Sequence, residues 1–215
     1  MKNIIFLAPP VAGKGTFSNY LVQNFGYRQI STGNILREKA TNDVKLAEYL
    51  KTGNLVDDET IIEIVSEKLQ NHPKNIPFIL DGVPRTLHQA KKLDIIMHGL
   101  NISNVVVVYI DVEKEILIDR VVGRMICPKC HRTYNINQNE FKPKVENVCD
   151  VCSINLEKRT DDTLESFMIR YNTFLERTYP IISYYREKGC LRVLENNQVD
   201  QTKSFEQLRS VMDEH

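Results

Sequence analysis

The run A-P-P-V-A-G-K-G-T, Ala8 to Thr16, follows a short apolar segment and leads directly into an amphipathic stretch. A strand, a glycine-bearing loop, a lysine and a helix, in that order, is how a chain builds a polyphosphate site. Backbone N–H groups of the loop and of the helix start converge on one spot, where aligned peptide dipoles add roughly half a positive charge. Lys14 adds a mobile full charge, Gly13 and Gly15 let the backbone approach an anion, and Thr16 brings a hydroxyl. The strict pattern G-x-x-x-x-G-K-[ST] is missed twice, at Ala8 and at Gly15, which displaces the hydroxyl to Thr16. Taken alone, the segment also fits an ordinary strand-to-helix turn.

A second chemistry lies in the cysteines. Cys127 and Cys130 form C-P-K-C, Cys149 and Cys152 form C-D-V-C, and eighteen residues separate the pairs. That spacing suits four thiolates on one tetrahedral structural zinc with no open coordination position, and hence no direct catalytic role. A redox pair or unligated thiols is the other reading. With four cysteines available, His131 is a bystander. Cys190 reads as a small buried hydrophobe near a strand.

The elements that must position these groups follow from patterning. Apolar runs at Ile4 to Leu7, Pro77 to Leu80, Val105 to Ile110 and Leu191 to Leu194 alternate with longer amphipathic stretches. Runs as uniformly apolar as Val105 to Val108 suit strands covered on both faces, so the alternation argues for a parallel sheet flanked by helices. Apolar residues recurring every three or four predict helices at Gly15 to Phe25, Thr32 to Ala40, Asp58 to Gln70, Glu113 to Arg124, Asp162 to Lys188 and Ser204 to Asp213. Gly26 and Gly189 read as helix stops. Between Gly123 and Thr160 the pattern turns to cysteine, Asn, Pro and scattered aromatics, the signature of a separate small lobe.

The 215 residues suffice for one core with inserted lobes. Lysine plus arginine equal aspartate plus glutamate at 28 each, so no global basic field favours nucleic acid. The apolar run at Ile4 is cut by Pro9 and Pro10, and Val105 to Ile110 is far short of a membrane span; a cytoplasmic location is expected.

Taken together, the motifs resemble the adenylate kinase family. The loop P-x-A-G-K-G-T is followed by I-S-T-G-N-I-L-R at Ile30 to Arg37, G-N-L-V at Gly53 to Val56, D-G-V-P-R at Asp81 to Arg85, D-R-V-V-G-R at Asp119 to Arg124, R-T-D-D at Arg159 to Asp162, and Arg170. The departures are Ala8 and Val11 where glycines are common, Asn34 for aspartate and Val83 for phenylalanine. Ala8 and Val11 require loop φ values compatible with a Cβ.

The resemblance implies an α/β P-loop nucleoside monophosphate kinase fold. Residues 1–30, 61–122 and 161–215 would form the core, 31–60 an AMP-binding lobe and 123–160 a zinc-binding lid. It implies ATP + AMP = 2 ADP with Mg²⁺ on ATP, and a monomer without nucleic-acid or membrane partners. Such transfer is mostly positioning and charge neutralisation. On the ATP side the resemblance implies Gly13, Lys14, Gly15, Thr16, Arg120, Arg124, Thr133 and Tyr134. On the AMP side it implies Thr32, Arg37, Val56, Gly82, Arg85, Gln89, Arg159 and Arg170. Lys14, Arg85, Arg124, Arg159 and Arg170 are the implied catalytic cations, and Asp81 the carboxylate ordering the water shell of Mg²⁺. Two rivals remain open: a kinase with another acceptor base, and a zinc-ribbon nucleic-acid-binding protein on a decayed nucleotide fold.

Overall fold

The computed structural model describes residues 1–51, 56–158, 162–197 and 200–213. Five parallel strands form the central sheet: β1 (Asn3–Leu7), β2 (Arg28–Ser31), β3 (Phe78–Asp81), β4 (Val105–Asp111) and β7 (Leu191–Glu195), in the order β2-β3-β1-β4-β7. Side chains alternate across a strand, so each run feeds two cores. Ile5, Leu7, Leu80, Val107 and Tyr109 face one side, packed with residues from α4 (Asp58–Gln70), α5 (Leu87–Gly99) and α8 (Tyr179–Glu187). Ile4, Phe6, Ile79, Val106, Val108 and Ile110 face the other, against α1 (Lys14–Phe25), α6 (Lys114–Gly123), α7 (Leu164–Thr173) and α9 (Gln201–Asp213). Burial on both faces is why β1, β3 and β4 read as nearly unbroken apolar runs.

Local signals set the helix ends. The side chains of Ser31, Asp57, Thr86 and Thr163 accept backbone N–H bonds at the starts of α2 (Thr32–Ala40), α4, α5 and α7. Gly26 closes α1 in the left-handed region at φ 69°. The expected helix from Asp162 to Lys188 is instead α7, a π-turn over Phe174–Thr178, and α8. Ahead of the cysteine lobe, three described elements fall outside the sequence reading. They are β2, whose R-Q-I-S has Ile30 as its one apolar residue, α3 (Val44–Lys51), and α5, whose Ala90, Leu93 and Met97 are buried at helical spacing.

Between α6 and α7 a two-stranded antiparallel hairpin, β5 (Arg124–Ile126) and β6 (Thr133–Asn135), carries its own small core of Cys127, Tyr134, Cys149 and Leu156. Its separation from the sheet matches the change of pattern in the sequence. Among the described residues, no helix is long and apolar enough to cross a membrane.

Candidate active site

Ligands of open parallel sheets bind outside the carboxyl ends of the strands, and one cleft opens there. It is lined by the phosphate loop and the start of α1, by the ends of β2 and β3, by α2, α6 and α7, and by the hairpin. Gly13, Lys14, Gly15, Thr16, Arg37, Asp81, Gly82, Arg85, Arg120, Arg124, Thr133, Tyr134 and Arg170 all line it. The tertiary structure thus brings six cations, spread along the chain from Lys14 to Arg170, to one cavity.

The start of α1 is unusual among these helices. Its N-cap is Gly13 at φ 99°, with no side chain capping it and no acidic residue in the first turn. The free N–H groups of that turn are therefore available to an anion. Val11, two residues earlier, has φ 56°, a region that β-branched residues occupy only when the surroundings force them. The departure from glycine at Val11 is thus accommodated in the left-handed conformation itself.

Lys14 is crowded by like charge. Burial pushes its ammonium down to about 8; Asp81 opposes this, while Arg85, Arg124 and Arg170 push further down. Burial likewise lowers the Arg85 guanidinium, with Arg170 and Arg37 adding to the effect, yet an arginine remains charged at any physiological pH. Cations held this close together are stabilised by a polyanion among them.

Each arginine is fixed by its neighbours. Arg85 is held at three points: its Nε donates to the Gly82 carbonyl at 3.0 Å, its N–H to Gln89 Oε1 at 2.7 Å, and its carbonyl accepts from Thr178 Oγ1 at 2.9 Å. Thr178 belongs to the π-turn, which delivers it to the cleft. Gly82 has φ 87°, and a Cβ there would stand 2.6 Å from Thr32 Oγ1, so only glycine fits this turn. Pro84 follows Val83 through a cis peptide bond. Arg37 Nη2 donates to Asn34 Oδ1 at 2.7 Å. Arg124 donates through Nε and Nη2 to the two oxygens of Asp162, and Arg170 lies 3.6 Å from the same carboxylate. Asp162 is buried and was missed as a site residue; its place in R-T-D-D, after an arginine and before the α7 cap Thr163, was the available signal. Arg120 donates to the Asn196 carbonyl at 2.9 Å, while its Nη1 is buried with no hydrogen-bond partner among the described residues.

Some expected residues stand elsewhere. Thr32 and Gln89 are buried outside the cleft lining, and Val56 packs half-buried against the core. Gln89 uses both ends of its amide, accepting from Arg85 N and donating to Asp58 Oδ1 at 2.8 Å. Tyr134 lines the cleft, but its hydroxyl turns away to the cysteines, donating to Cys149 Sγ at 3.4 Å and accepting from Asp150 N at 2.9 Å. Arg159 lies outside the described residues, as do Gly53, Asn54 and Leu55 of the G-N-L-V motif.

The chain matches the adenylate kinase family model over residues 6–190. It is 40% identical to the adenylate kinase of Thermotoga neapolitana over 197 residues, 89% of each chain. It is 38% identical to that of Caldanaerobacter subterraneus subsp. tengcongensis over 214 residues, 97% of this chain and 95% of the other. With that of Mesoplasma florum it shares 39% over 199 residues, covering 90% and 92%. The chain belongs to the adenylate kinase family. Its mostly parallel, helix-flanked sheet is the P-loop fold of nucleoside monophosphate kinases, and the chain is a kinase.

The cysteine lobe has the shape of a metal site. The four thiol sulfurs lie within 4.8 Å of one another, with Cys130 and Cys149 Sγ 3.7 Å apart. Bonds of ~2.3 Å to a central zinc in tetrahedral geometry put sulfurs about 3.8 Å apart. Both C-x-x-C segments make the same turn. Cys130 N donates to Cys127 Sγ and Cys152 N to Cys149 Sγ, and the next residues, His131 and Ser153, are left-handed at φ 58° and 54°. In this adenylate kinase family member the lobe also meets the loop: Thr133 Oγ1 lies 3.9 Å from where a Cβ on Gly15 would stand.

Proposed function

We infer that this cleft carries out ATP + AMP = 2 ADP, the reaction of the adenylate kinase family. The observation that carries the reading is the convergence of Lys14, Arg85, Arg124 and Arg170 around one cavity at the open start of α1. Two nucleotides bring many negative charges to one line of transfer, and fixed cations offset their repulsion as charge spreads in the transition state.

The residues divide as follows. Gly13, Lys14, Gly15 and Thr16 hold the ATP polyphosphate, and Arg120 and Thr133 approach the same nucleotide. Arg37 and Arg85 hold the AMP phosphate, with Thr32, Val56, Gly82 and Gln89 shaping that side. Arg124, Arg170 and Arg159 face the transferring phosphoryl group. No side-chain base is needed, since the AMP phosphate is already the nucleophile. Segments 31–60 and 123–160 are the lobes that close over the substrates, and the remaining segments are the core.

Asp81 and Thr16, both lining the cleft, offer the oxygens that would hold magnesium through its water shell, and Asp81 Oδ2 accepts from Gln29 Nε2 at 3.1 Å. Such an ion neutralises phosphate charge while keeping much of its water shell. Zinc fits the four cysteines and stiffens the lid. The zinc-ribbon reading as a nucleic-acid-binding protein is disfavoured by the lobe's position between Arg124 and α7, where it frames the cleft.

The test is ADP formation from ATP with AMP, CMP, UMP or GMP, with and without Mg²⁺. Mg²⁺-dependent turnover strongest on AMP is expected. Preference for another acceptor, or none at all, would overturn the reading.

A further inference from the structure

Asn196, just after β7, is buried and polar, and the mechanism above does not use it. Four contacts run through this one residue. Its Nδ2 donates to the Ala12 carbonyl at 2.9 Å, across a sequence separation of 184 residues. Its Oδ1 faces the Ser204 hydroxyl of α9 at 3.1 Å, a hydroxyl that has the Asp200 carbonyl at the same distance. Its own carbonyl accepts from Arg120 Nη2 at 2.9 Å, and its N–H donates to the Asp111 carbonyl at the end of β4 at 2.8 Å. A Cβ on Gly13 would stand 3.0 Å from Asn196 Nδ2, so the amide lies directly against the loop.

The bond to Ala12 falls where it has most effect. Ala12 is flanked by the two left-handed residues of the loop, Val11 at φ 56° and Gly13 at φ 99°. In a trans peptide the C=O and the following N–H point in opposite directions. Holding the Ala12 carbonyl toward Asn196 therefore directs the Gly13 N–H the other way, into the hollow of the loop where backbone N–H groups receive an anion. A strained loop keeps such a shape only when its surroundings over-determine it. The same residue sets Arg120, whose other nitrogen is buried without a partner among the described residues.

We propose that Asn196 is a positioning residue for the ATP side of the cleft, fixing the phosphate loop and Arg120 in one frame from the far end of the chain. This rests on the reading of the loop as the site of the ATP polyphosphate. Asn196 acts through Ala12 and Arg120, not on the substrate.

Two variants and two readouts test it. Asn196→Asp keeps the side-chain shape but, when ionised, removes the donor to Ala12 and places a negative charge beside the loop; Ser204→Ala leaves Asn196 but releases its orientation. Steady-state rates are measured with ATP and AMP varied in turn, and MgATP binding is titrated calorimetrically without AMP. For Asn196→Asp the KM for ATP and the MgATP Kd should rise roughly tenfold or more, the scale of one lost hydrogen bond plus one unfavourable charge. The KM for AMP should stay within about twofold, and Ser204→Ala should show the same pattern at a few-fold. Unchanged ATP parameters in a folded Asn196→Asp variant, or equal loss on both substrates, would overturn the inference. If Asn196→Asp does not fold, Ser204→Ala decides alone by the same ratio. Because MgATP binding is read without an acceptor, a failure of the AMP assignment leaves this result standing on its own.

Discussion

Arg124 and Asp162 form a two-toothed ion pair, Nε donating to Oδ2 at 2.6 Å and Nη2 to Oδ1, with the carboxylate fully removed from solvent. The same carboxylate has Arg170 at 3.6 Å. One buried negative charge thus holds two cleft arginines, one at the start of the hairpin and one on α7, in fixed relation.

Asp162→Asn is expected to damage both stability and turnover. Removing one partner of a buried pair costs about 3–5 kcal/mol, because the remaining charge is left unmatched. Here the two arginines would also repel each other. Melting curves should shift down, and kcat should fall at temperatures where the variant remains folded. Wild-type kcat in a folded variant would show that the arginines keep their setting without Asp162.

Lys14→Met is expected to separate stability from activity. The ammonium has a folded pKa of about 8 against an ordinary 10.5, with burial the leading cause. Below pH 8 the lysine is charged in both folded and unfolded chains, and the fold bears the cost of burying it. Between about 8 and 10.5 the unfolded chain binds more protons, so this cost fades as pH rises. The ligand-free variant should therefore melt about 2–4 °C above wild type at pH 7, the shift for ~1 kcal/mol in a chain of this size. The gap should close toward pH 10.5. Turnover should fall 100-fold or more, since a preorganised charge on phosphate is commonly worth ~3 kcal/mol. A variant less stable at pH 7 would contradict the burial argument.

Gln89→Ala is expected to act at two levels. Loss of the bond to Arg85 N loosens the turn that aims Arg85, raising the KM for AMP. If the amide exchanges its bond to Asp58 for the acceptor base, discrimination of AMP over CMP should also fall. Kinetics with both monophosphates check this; an unaltered AMP to CMP ratio would leave Gln89 with the Arg85 role alone.

Cys127→Ser, or strong chelation, is expected to release one zinc per chain and lower the melting temperature clearly. Four thiolates leave no position for substrate or activated water, so activity should decline as the hairpin loosens, with residual turnover at low temperature. Elemental analysis alongside melting and ADP-formation curves decides. A metal-free wild type, indifferent to chelation, would sink the zinc assignment.

The sequence by itself determined the parts whose signals are local. Uniform apolar runs announced β1, β3 and β4 because strands buried on both faces need no alternation, and the shorter run Leu191 to Leu194 announced the edge strand β7. The glycine loop announced the start of α1, and the paired C-x-x-C segments announced the sulfur cluster, since each depends on residues a few positions apart. The motif arginines were legible as a set. β2 and the split of the long C-terminal helix were not, because R-Q-I-S becomes a strand only beside β3, and the π-turn follows from seating Phe174 and Thr178 against the core and Arg85. Asp162 under two arginines, Gln89 between Arg85 and Asp58, and Asn196 across to Ala12 were decided only in three dimensions. Their partners lie 38, 31 and 184 residues away along the chain, and a buried polar side chain takes its meaning from whichever donor or acceptor the packing brings to it.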